Sequence, residues 1–182
     1  MPRLRQPRPA LPRFAVAWFP HFDGIERVEA FRTRHDPMAR KIRAHLTLVF
    51  PFGTNLTRLQ LETHVRRVAS KWPPIPVTFR AVRMHANEFV FLMASRGATS
   101  VTALHEALYT RSLRPHLRPE FAYEPHVTLA RQAQLSSLER AFAQAQEEFG
   151  AEFTDVMREA DLLAVEPDGK IESLCKIALH SS

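Results

Sequence analysis

The chain has 182 residues, 45% hydrophobic and 24% charged, with a single cysteine and a formal net charge of +6. That length and balance fit one soluble globular domain able to bury a core. They exclude a membrane span, since no apolar run approaches the roughly 18 residues one needs, and the lone Cys175 excludes an internal disulfide.

A reducing cytoplasm suits such cysteine use. The N-terminus carries charge but no apolar h-region, so no secretory signal is expected. Four of the positive charges, Arg3, Arg5, Arg8 and Arg13, lie in the first 13 residues, leaving +2 for the rest of the chain. Residues 1–13 therefore read as a basic, Pro-rich tail, expected to be extended or disordered. Net charge does not by itself assign a nucleic-acid partner.

Beyond the tail, Phe14 to Phe19 reads as a strand stopped by Pro20. A helix follows over Asp23 to Arg34, with Asp23 as its cap and Ile25, Val28 and Phe31 as its apolar edge. The basic run Arg32 to Arg43 leads into an apolar, β-branched stretch, Ala44 to Phe50. Thr57 to Gln60 has capping-box spacing, and Leu61, Val65, Val68, Ala69 and Trp72 continue at helical intervals to Pro73-Pro74. Two strands come next, Pro76 to Met84 and Glu88 to Ala94, turned at Ala86-Asn87.

A helix over Thr99 to Leu113 and a second basic approach (Arg111, Arg114, Arg118) lead to another apolar stretch, Pro125 to Ala130. Ser136 to Glu139 again has capping-box spacing, before Leu138, Phe142, Ala145 and Phe149, and Gly150 stops the helix. Strands over Glu152 to Val165 and Ile171 to Leu179 flank the turn Pro167-Asp168-Gly169. Each half thus runs strand, helix, basic loop, strand, helix, strand, strand. This is a two-fold repeat of an α+β unit, visible in element order more than in residues.

The repeat carries chemistry. Within the two apolar stretches stand His45-Leu46-Thr47-Leu48 and His126-Val127-Thr128-Leu129, 81 positions apart. Side chains alternate along a strand, so His and Thr share one face while Leu46, Leu48, Val127 and Leu129 seal the other. Composition predicts roughly a quarter of one such match by chance; two occur. Facing histidines can act as base and acid, and threonine hydroxyls can donate to an oxyanion between them. A phosphodiester needs this set of groups.

These tetrads, with Pro125 before the second and Arg131 after it, resemble the two-histidine (2H) phosphoesterase superfamily. Within it they resemble the bacterial 2′-5′ RNA ligase-like, or RNA 2′,3′-cyclic phosphodiesterase, branch. The resemblance covers Phe14 to about His180. It implies a bilobal α+β fold, pseudo-two-fold duplicated antiparallel sheets with flanking helices around a central groove. It implies opening of a 2′,3′-cyclic phosphate to a 2′-phosphate without a metal, sometimes with reversible 2′-5′ ligation. It gives His126 to water and His45 to the departing 3′ oxygen, or the reverse, with Thr47 and Thr128 on the phosphate. Its partners are RNA ends or small nucleotides bearing the cyclic phosphate, with the protein acting as a monomer off the membrane.

Further candidates surround the tetrads. Lys41, Arg43 and Arg118 could contact an RNA backbone. Arg131 could reach phosphate, although simple alternation turns it away from the cleft. Tyr123, Phe50 and Phe52 could stack a base, with parity favouring packing for Phe50. His64 and His105 read as core-edge packing; His21, His35, His85 and His116 read as solvated loop residues. No His-Glu-x-x-His, Cys-x-x-Cys, Gly-x-Gly-x-x-Gly or Walker spacing occurs, so neither metal nor cofactor is expected. The residues alone also admit a non-catalytic RNA- or nucleotide-binding module, or a cyclic phosphodiesterase for a non-RNA nucleotide.

Overall fold

The computed structural model describes residues 11–120 and 122–180, so most of the expected basic tail lies outside the described residues. Arg13, assigned to that tail, opens the first strand. The elements are β1 (Arg13–Trp18), α1 (Ile25–His35), β2 (Leu46–Gly53), α2 (Arg58–Ala69), β3 (Ile75–His85), β4 (Phe89–Ala94), α3 (Ala98–Leu108), β5 (His126–Arg131), α4 (Leu135–Glu148), β6 (Phe153–Met157), β7 (Glu159–Val165) and β8 (Ile171–Ala178).

The strands form two antiparallel four-stranded sheets, β2-β1-β7-β8 and β5-β4-β3-β6. The expected duplicated α+β architecture is present, with both His-Thr strands at corresponding sheet edges. The two halves interlock. β3 follows the first half but pairs in the second sheet, and α1 packs on β5 while α3 packs on β2. The stretch expected as one strand over 152–165 is two, broken at Arg158, with β6 in one sheet and β7 in the other. Apolar content is continuous through it, so the sequence signal for a strand does not reveal the change of sheet.

The core explains why these segments pair. Phe14, Val16 and Trp18 of β1 join the main apolar cluster, which also takes Leu46, Leu48, Val127 and Leu129. Ala15 and Ala17, on the other face, pack with Ile42 and Leu163 in a smaller cluster. Both faces of β1 are thus covered, which is why it reads as an unbroken apolar run.

Helix ends differ in instructive ways. The Thr57 box forms in both directions: Gln60 N donates to Thr57 Oγ1 at 3.2 Å and Thr57 N to Gln60 Oε1 at 2.8 Å. The expected cap Asp23 is not used, because Gly24 in the left-handed region starts α1. Ser136 to Glu139 forms no capping box, since α4 begins one residue before it, at Leu135. α3 stops at Leu108 rather than Leu113, and Arg111–His116 winds into a 3₁₀ turn that still buries Leu113. At its start, Gly97 has φ +81°, and a Cβ there would stand 2.1 Å from the Pro76 carbonyl oxygen. No side chain fits.

Candidate active site

Position 45 is where the first half's local chemistry converges. Asp36 caps the 3₁₀ turn Pro37–Arg40 by accepting from Met38 N, and its other carboxylate oxygen takes two bonds from Arg32, at 3.2 and 2.8 Å. Arg32 also donates to the Ile42 carbonyl, and Glu29 accepts from Ala44 N. Arg32 is 1% exposed. The first residue of the basic run is thus a buried strut that fixes the approach to His45.

Both imidazoles are held in the same way. His45 Nδ1 lies 2.8 Å from the Arg43 carbonyl and His126 Nδ1 lies 2.6 Å from the Glu124 carbonyl. A carbonyl only accepts, so Nδ1–H donates in each case and Nε2 carries the free lone pair. Each ring keeps some open surface, yet burial dominates its protonation. Desolvation holds both well below 6.5, at about 4, against an upward pull from each carbonyl bond. The Arg32 and His126 charges also push His45 down, and Asp36 pulls it up. Phe91 supplies much of the cover for His126, stacked at 3.6 Å between centroids and 18° between planes.

The two strands also share a bulge. Thr47 pairs with Ala17 and Val49 with Val16, which leaves Leu48 extra; Thr128 pairs with Phe91 and Ala130 with Val90, which leaves Leu129 extra. The last residue of each tetrad is therefore a β-bulge, and alternation flips after it. Phe50, assigned to packing by parity, instead turns to the cleft side. A further irregularity in β1–β2 returns Phe52 to the core, 7% exposed against His116, so it is not placed to stack a base.

A cavity of about 430 Å³ lies over this face, lined by Thr47, Phe50, His85, Phe89, Phe91, Arg118, Ala122, Glu124, His126 and Thr128. Its size suits a nucleotide-sized ligand. The structure brings both threonines, His126 and Arg118 together; His45 stands two residues before Thr47, outside that lining. β2 and β5 also meet directly.

The model of the 2′-5′ RNA ligase superfamily matches residues 20–156, spanning both tetrads. The chain belongs to the 2′-5′ RNA ligase superfamily. A protein of Geobacillus thermodenitrificans provisionally named a phosphoesterase is 28% identical over 122 residues, 65% of this chain and 69% of that protein. One of Bacillus pumilus with the same provisional name is 30% identical over 121 residues, with 65% and 69% covered. Among solved structures, Escherichia coli LigT complexed with NADP+ superposes with a TM-score of 0.60 at 18% identity, covering 93% of this chain and 99% of LigT. A Thermus thermophilus structure does so at 0.62 and 18%, with the same shares. At such identities the likeness speaks for the fold.

As a member of this superfamily, the chain departs from its sequence reading at several outer positions. Tyr123 does not face the cavity. Its hydroxyl donates to the Thr47 carbonyl at 2.7 Å and its ring stacks on His105 at 3.6 Å. His105 Nδ1–H in turn donates to the Leu48 carbonyl, and Tyr109 accepts from Phe50 N. These side chains satisfy the outer edge of β2, whose ladder has no further strand among the described residues. Tyr123 ties the approach to His126 onto the strand that carries Thr47.

Lys41 donates to the Asp168 carbonyl and Arg43 lies 4.7 Å over Phe19, both beside a separate cavity. Arg131 swings to the cleft side after its bulge, yet pairs with Glu88 at 2.6 Å and lies over Phe89. The sequence reading missed His85, which lines the cavity and stacks on Phe91. A regular two-residue alternation from Phe79 would not place it there, because β3 also shifts register, between Phe79 and Val82. Among the described residues no helix is long and apolar enough to cross a membrane.

Proposed function

We propose that this superfamily member is a phosphoesterase that opens 2′,3′-cyclic phosphates, on RNA ends or nucleotides, to 2′-phosphates, with His45 and His126 as its acid and base. The observation that carries this reading is the matched pair of Nδ1–H to carbonyl bonds. Binding alone does not require two imidazoles with the same tautomer and a free Nε2. Acid–base transfer does. In the forward step His126 Nε2 takes a proton from water while the water oxygen bonds to phosphorus. The phosphorus–O3′ bond breaks and His45 Nε2–H delivers its proton to O3′. Thr47 and Thr128 donate to the non-bridging oxygens.

Two neutral imidazoles cannot begin this step, because the acid must carry a proton. The phosphodiester's negative charge beside a buried ring favours the protonated form and supplies that bias on binding. The provisional phosphoesterase names of the relatives support the reaction class. LigT structures complexed with 3′-AMP, ATP and phosphate support a nucleotide-sized anionic ligand. The test is incubation with 2′,3′-cyclic nucleotides in EDTA. Nucleoside 2′-phosphate should accumulate at undiminished rate; the 3′ isomer, or loss of activity to chelator, would overturn the proposal.

A further inference from the structure

The catalytic cavity is not closed. Phe50 and Arg118 form a wall it shares with a second groove of about 390 Å³, lined also by Arg13, Pro51, Phe52, Gly53, Pro115, His116 and Leu117. That groove holds two arginines and a histidine, and among the described residues no carboxylate lines it. Arg13 and Arg118 are exposed, and neither figures in the ion pairs formed among the described residues.

Two other basic cavities make useful comparisons. The one beside Lys41, Arg43 and Lys176 also takes in the carboxylate of Asp161. Its cations are engaged: Lys41 on the Asp168 carbonyl, Lys176 on Glu159 and Arg43 over Phe19. The one beside Arg67, Lys71 and Arg111 sits where α2 and α3 end and shares no residue with the catalytic cavity. Cations there complement two helix C-termini. Of the three, the Arg13–Arg118 groove alone combines cations outside any ion pair with lining residues shared with the catalytic cavity.

Resting on the function proposed above, we propose that this groove is a phosphate subsite for the nucleotide preceding the cyclic end. Arg118 stands at the junction and Arg13 at the far side. The preferred substrate is then an oligonucleotide rather than a free cyclic mononucleotide. The aromatic walls of the catalytic cavity (Phe50, Phe89 and Phe91) take the terminal base, and the polar groove takes the backbone leading to it.

The test compares 2′,3′-cyclic AMP with a diadenosine ending in the same cyclic phosphate, in the wild type, in Arg13→Gln and in Lys176→Gln. Wild type should favour the dinucleotide in kcat/KM. One exposed charge contact is worth up to about fivefold, so Arg13→Gln should cut the dinucleotide advantage by about that factor and leave mononucleotide turnover unchanged. Loss of one phosphate contact should also flatten the dependence of log KM on log salt by about 0.7. Lys176→Gln should alter neither. No dinucleotide advantage in wild type, or an equal loss on both substrates in Arg13→Gln, would overturn the subsite.

Absence of turnover on both substrates would instead sink the proposed reaction. The subsite then stands or falls on binding, read by calorimetry with adenosine 2′-phosphate and with the diadenosine carrying the same 2′-phosphate. A dinucleotide advantage that Arg13→Gln removes upholds it, and equal affinities refute it.

Discussion

Replacing Phe91 by leucine should raise the pKa of His126 and leave His45 where it is. In the native chain burial lowers His126 from 6.5 to about 4, which disfavours the imidazolium by roughly 3 kcal/mol. Phe91 lies against one of the two faces of the ring at 3.6 Å and 18°, and is assigned roughly half of that cover. Taking it away returns roughly 1.5 kcal/mol to the charged form. The lost cation–π attraction works the other way and is worth about 0.5–1 kcal/mol. Desolvation wins by about 0.5–1 kcal/mol, and His126 should titrate about 0.4–0.7 of a unit higher. The assay is NMR titration of the two imidazole Cε1–H resonances, with His45 as internal reference. An unmoved or lowered His126 would show that the stacked ring does not provide the desolvation, and the electrostatic account of the site would fail with it.

His45→Ala and His126→Ala should each lower kcat by roughly 10²–10⁴-fold on a 2′,3′-cyclic nucleotide, measured by steady-state turnover; activity within tenfold of wild type removes that histidine from the chemistry. Because the free-protein pKa values are both near 4, the fraction with one imidazole charged and one neutral shrinks as pH rises. Log kcat/KM should therefore fall by about one per pH unit between pH 5 and 8, and a symmetric maximum near 6.5 would contradict the burial of the rings. Arg32→Met leaves Asp36 buried without its cation and should cost about 3–5 kcal/mol in urea unfolding, whereas a loss under 1 kcal/mol would make the strut a bystander. Tyr123→Phe keeps the stack on His105 but orphans the Thr47 carbonyl, costing about 1–2 kcal/mol of stability. It should lower kcat more than it raises KM, and an effect on KM alone would return Tyr123 to the substrate-contact role.

The tetrads are legible because strand periodicity and the needs of the proposed chemistry coincide there: Leu46, Leu48, Val127 and Leu129 are all fully buried, while the His and Thr of the same strands are not. The same periodicity misplaced Phe50 and Phe52, since a bulge leaves no mark in a run of apolar residues. Arg32 shows a different limit. Its charge announces solvent, and it is the approach of Asp36, one helical turn later, together with Glu29 and the Ile42 carbonyl, that makes its burial tolerable. Tyr123 and Arg118 lie in one loop before His126, yet one is spent on the Thr47 carbonyl and the other is left free in the cavity. Composition could not separate them, because that separation depends on β2 lying beside the loop.

That proximity follows from the way the halves interlock. Had each His-Thr strand been covered by a helix of its own half, two separately folded lobes could drift and the spacing of the imidazoles with them. Instead α1, which leads into His45, packs on the strand of His126, and α3 packs on the strand of Thr47. His105 of α3 and Tyr123 of the following loop then fasten directly to the Thr47 and Leu48 carbonyls. Each motif is thereby held by residues from the other half. Two imidazoles 81 positions apart in sequence are coupled through packed secondary structure rather than through a hinge, which is the rigidity that the proposed acid–base transfer demands.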